Sequence, residues 1–94
     1  MKILESTDRG NYFVLDKDEK EPVLEITRDN LFKMMENVYS NKDFYDMEDS
    51  SLIISEMKNP IEKEIANQIV NKIKEFQGQV DNIKARLDAQ YPEV

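Results

Sequence analysis

The last third of the chain restricts its fold more than any other stretch. In "NPIEKEIANQIVNKIKEFQGQVDNIKARLDAQ", Asn59 is a good N-cap, Pro60 suits the first helical position, and Glu62 sits at N3, where a capping box places an acid. From Ile69 onward the apolar residues Ile69, Ile73, Phe76, Val80, Ile83 and Leu87 step by 4, 3, 4, 3 and 4, which is a heptad seam. The pattern predicts one helix over residues 60 to 90, about 46 Å long at 1.5 Å per residue. A compact domain of this size has a radius of gyration of about 13 Å. Such a helix therefore overhangs its own body or folds back on it. Gly78 is the only obvious break point, and it falls at the outermost heptad position, where it costs about 1 kcal/mol relative to Ala and obstructs nothing. A continuous helix is expected.

The first third has strand-like punctuation. "KILEST" and "NYFVLD" flank "DRG", and Gly10 can supply the positive φ of a short hairpin. After "KDEKEP", read as a connection, "VLEIT" alternates apolar and polar residues and predicts a third antiparallel strand, completing a β-meander over residues 2 to 27. Thr27 or Asp29 can cap a helix over 29 to 40, whose Leu31, Met35, Val38 and Tyr39 fall at i, i+4, i+7 and i+8. "SLIISEM", residues 51 to 57, is a strand or a short helical turn, and its Ile and Leu content favours a strand. The 94 residues allow a single core. The expected class is α+β: a small antiparallel sheet of three or four strands, packed by a short helix and a long C-terminal amphipathic helix.

The chain has neither Cys nor His. Disulfides, thiolate metal sites and cysteine nucleophiles are excluded, together with the commonest general base and transition-metal ligand. No Gly-rich phosphate loop, nucleophile elbow or Ser-x-x-Lys motif stands in for them. No enzyme activity and no cofactor are expected. The N-terminus lacks the apolar core of a signal peptide, and no segment approaches the roughly 20 apolar residues that span a bilayer, so a cytoplasmic protein without membrane contact is expected.

The net charge of −7 is unevenly spread. Residues 1 to 60 carry 8 basic and 14 acidic side chains, and residues 61 to 94 carry 5 and 6. Phosphate backbones and anionic lipids attract proteins through Lys and Arg, so direct nucleic-acid binding is not expected. The acid is densest in "DFYDMED", residues 43 to 49, where Asp43, Asp46, Glu48 and Asp49 surround Phe44, Tyr45 and Met47. A calcium loop fails on spacing: Asp46, Glu48 and Ser50 suit the first three ligand positions, but Ser51 stands where Gly is needed and Met57 where a bidentate Glu is needed. No metal is predicted.

Two binding surfaces are expected from these patterns. In one, Asp43, Phe44, Tyr45, Asp46, Glu48 and Asp49 dock on the basic, nucleic-acid-binding surface of a protein partner, as a nucleic-acid mimic does, with Asp16, Asp18, Glu19 and Glu21 contributing. The protein would then be a small acidic inhibitor or regulator. In the rival reading, Ile73, Phe76, Val80, Ile83 and Leu87 assemble a homodimer or larger oligomer, making the chain a structural or adaptor module. The seam's flanks, Val70, Lys72, Gln77, Gln79, Lys84 and Arg86, offer no opposite-charge pairing between two copies of the helix. They favour packing of the seam's first half in cis.

Overall fold

The computed structural model of the chain describes residues 1–91. Three strands, β1 (Leu4–Thr7), β2 (Gly10–Asp16) and β3 (Glu19–Pro22), form an antiparallel meander in the order β1-β2-β3. Three helices follow: α1 (Arg28–Ser40), α2 (Ser50–Ser55) and α3 (Pro60–Gln90). This is the α+β arrangement expected, with three strands. Among the described residues no helix is long and apolar enough to cross a membrane.

The hairpins are set by two-residue connections. Thr7 pairs with Gly10 across Asp8 and Arg9, and Gly10 has φ +136°, which an L side chain rarely adopts. Asp16 pairs with Glu19 across Lys17 and Asp18, with a register irregularity after Val14. This second turn overturns the expected third strand. "EKEP" is the strand, because a two-residue turn brings Glu19 straight back along β2, and pairing has run to Tyr12 opposite Pro22 before "VLEIT" begins. Val23–Glu25 then coils into a single 3-10 turn, which buries Val23 and leaves Leu24 exposed.

The predicted strand over 51 to 57 is also corrected. It is helix α2, and the reason lies in which side chains the body takes in. Ile54 and Met57 are buried and Ile53 is half-buried, whereas Leu52 stands in solvent. Adjacent residues 53 and 54 cannot both face inward from a strand, but they can from a helix.

Local capping explains where the other helices start. Thr27 and Asn30 form a reciprocal box: the Asn30 N–H donates to Thr27 Oγ1 at 3.1 Å, and the Thr27 N–H donates to Asn30 Oδ1 at 3.0 Å. At α3, Asn59 Oδ1 accepts from the N–H groups of Ile61 (2.9 Å) and Glu62 (3.3 Å). Glu62 does not reach back to close a second box. Its carboxylate accepts instead from the Asn11 side-chain amide, tying the start of α3 to strand β2.

The core lies between one face of the sheet and the helices. Leu4, Phe13 and Leu15 from the sheet meet Val23, Met34 and Val38 from the middle of the chain and Ala66, Val70, Ile73 and Val80 from α3. The helix runs through Gly78 unbroken, and the molecule is 52 Å long but only 23 by 21 Å across. The overhang expected from the length of the seam is present.

Candidate functional site

The acidic loop between α1 and α2 is held in shape by its own polar side chains. Asn41 Oδ1 accepts from the Asp43 N–H at 3.1 Å, and Asp46 Oδ1 accepts from the Glu48 N–H at 2.9 Å, so each closes a local turn. The Asp46 N–H donates to the Met1 carbonyl at 2.6 Å, fixing the loop against the N-terminus.

Tyr45 is the loop's anchor. Its ring is 2% exposed and its hydroxyl reaches the Val14 carbonyl at 2.7 Å and the Leu15 carbonyl at 3.3 Å. Burial pushes the phenol up to about 12, with the nearby Asn37 side chain opposing the shift. Phe44 packs edge-on against it, ring centres 4.8 Å apart. These two rings were expected to grip a partner. Tyr45 faces inward and cannot, and Phe44 is half-buried against it; an aromatic next to carboxylates reads the same in sequence whether it points in or out.

Asp43, Asp46, Glu48 and Asp49 are all turned to solvent. Asp49 pairs with Lys2 at 2.9 Å, and its hydrogen bond, more than its charge, raises the lysine's pKa, with Asp46 and Glu48 adding to the field. Asp43, Asp46 and Glu48 make no ion pair among the described residues. The Tyr45 bond also sets this loop beside the end of β2, where the next residue, Asp16, opens the turn to Asp18 and Glu19. Glu19 is bonded by Lys33, and Glu21 is half-buried on β3. Tyr45 thus ties the acidic loop to the strand that leads into the second acidic stretch. Among the described residues no three carboxylates converge as a metal cage.

The residues of the C-terminal seam divide in two. Ile73 and Val80 are buried within the chain itself, so they are not available to a partner. Phe76 and Ile83 are half-buried, and Leu87 is 42% exposed where α3 has left the body. Beside Phe76 runs a groove of about 510 Å³ bounded on the α1 side by Phe32, Met35 and Tyr39. Phe32 is 52% exposed and was missed in the sequence, although Phe32, Met35 and Tyr39 stand at i, i+3 and i+7 and form a second apolar row on α1. Lys84 sits over the Tyr39 ring at 5.0 Å, and Lys42 at the end of α1 bonds Asp81 at 3.0 Å. Of the basic residues beside the seam, Lys84 is used within the chain, over Tyr39, while Lys72 and Arg86 make no ion pair among the described residues.

No protein-family model, no curated protein and no solved structure matches this chain.

Proposed function

We propose that this protein is a non-enzymatic protein-binding module, and that its acidic end docks on the basic, nucleic-acid-binding surface of a partner as an inhibitor or regulator. The observation that carries this reading is the Tyr45 hydroxyl bonded to the end of β2. It ties residues 43 to 49, whose four carboxylates face solvent, to strand β2 on a backbone already fixed by Asn41, Asp46 and Met1. A fixed array of charges loses little conformational entropy on binding and steers an oppositely charged partner from a distance. With Tyr45 committed to the core, recognition would rest on the carboxylates and on their spacing.

The test is capture of partners from lysate by the native chain and by the combined variant Asp43→Asn, Asp46→Asn, Glu48→Gln, Asp49→Asn, each first shown by circular dichroism to be folded. A basic nucleic-acid-handling protein, held by the native chain in a salt-sensitive way and lost by the variant, is the expected result. Identical captures by both chains would remove the acidic surface from the account.

A second reading is favoured by one feature the acidic reading leaves unused. Apolar surface at Phe32, Phe76, Ile83 and Leu87 lies exposed or half-exposed in one region of α1 and α3. It supports a homo-oligomeric structural or adaptor module.

A further inference from the structure

The apolar stripe of α3 is wider than the face its own core uses. At about 100° per residue, the buried Ala66, Val70, Ile73 and Val80 occupy one arc, and the half-buried Ile69, Phe76 and Ile83 lie along one edge of it. Helix α1 is built in the same way. Met34 and Val38 are buried, while Met35, Tyr39 and Phe32 turn progressively outward on one side. Phe32, Met35 and Tyr39 of the one margin and Phe76 of the other line the groove. Leu87 stands on the same side of α3 as Phe76, about three turns further on, and is 42% exposed.

Glu36, on the α1 side, is the charged residue that bounds the groove, while the exposed charges along α3 are mixed and include two basic residues, Lys72 and Arg86, beside its apolar margin. None of the three forms an ion pair among the described residues. The residues flanking the seam offer no opposite charge to a second α3, whereas Glu36 on α1 of one copy and Arg86 on α3 of another do.

We propose that the groove between α1 and α3 is a dimer interface whose occupant is the α3 overhang of a second copy of this chain. A two-fold axis lays the α1 margin of each copy on the α3 margin of the other. Leu87 and Ile83 then meet Phe32, Met35 and Tyr39, and Glu36 of each copy meets Arg86 of the other. Both halves of the contact are carried by one chain, which is what a closed two-fold interface requires. This rests on the second reading above and is independent of the acidic loop.

Sedimentation velocity over a range of concentrations tests it on the full chain. The wild-type chain is expected to dimerise, and Glu36→Arg or Arg86→Glu alone to weaken the dimer about tenfold, since each disturbs two symmetry-related pairs. Combining Glu36→Arg with Arg86→Glu should restore it. Both residues are exposed, so the fold is not at stake. A chain that is monomeric at every concentration overturns both the proposal and the second reading. A dimer insensitive to these changes and to Phe32→Ser and Leu87→Ser overturns the proposal but leaves self-association through another face. Failure of the double exchange to restore the single losses overturns the pairing and the geometry built on it.

Discussion

The Tyr45 hydroxyl donates to the Val14 carbonyl at 2.7 Å, joining residues 31 positions apart and drawing the acidic loop onto the end of strand β2. Asn37 donates from its side-chain amide to the neighbouring Leu15 carbonyl at 2.7 Å, so α1 and the loop secure the same stretch of backbone. Tyr45→Phe keeps the ring and removes only the bond. It should cost about 1 to 1.5 kcal/mol, measured by urea unfolding near neutral pH.

The same residue makes an alkaline prediction whose sign follows from its shift. The folded-state pKa of Tyr45 is raised from 10 to about 12, so its contribution to stability is complete below pH 10 and is lost as pH rises toward 12. The raised Lys2, Lys33 and Lys42 act in the same direction. Urea midpoints should therefore fall above pH 10 for the wild-type chain. Tyr45→Phe should fall less steeply, and equal slopes would place the phenol in contact with water.

Gly78 lies inside α3 with ordinary helical φ, and a side chain there would meet nothing within 4 Å. Gly78→Ala should stabilise the protein by about 1 kcal/mol, by removing unfolded-state freedom and adding helix propensity. Thermal unfolding checks this. A loss of stability would mean that the helix bends at this point.

Thr27 closes the N-terminus of α1 with Asn30, so Thr27→Ala removes one half of a reciprocal pair. The expected cost is about 1 kcal/mol, with the sheet unchanged. Urea unfolding supplies the number, and circular dichroism shows whether the first turn frays.

Val80 and Leu87 hold equivalent positions one heptad apart in the seam, with opposite fates. Val80→Asp buries a charge in the core and should cost more than about 3 kcal/mol, enough to unfold much of the population. At concentrations where the chain is monomeric, Leu87→Asp changes an exposed side chain and should leave its stability within about 0.5 kcal/mol. Comparing both by circular dichroism and urea titration separates core from overhang. Equal losses would show that the end of α3 is covered.

What was written in the amino acids alone is the part of this fold governed by a few neighbouring residues. The cap at Asn59 with Pro60 after it, the heptad spacing from Ile69, the Thr27 cap and the glycine turn at Gly10 each act within a turn or two of chain, so the long helix, α1 and the first hairpin were legible. The overhang followed from length. What the tertiary structure decided is everything that depends on which apolar side chains the body takes in. "SLIISEM" suits strand or helix by composition, and its contact with the core made it helix; "VLEIT" alternates like a strand, yet the register of a two-residue turn left it nothing to pair with. Tyr45 became an anchor and Phe32 an exposed edge for the same reason. The burial of a ring is settled by partners 31 residues away, and no local pattern carries that information.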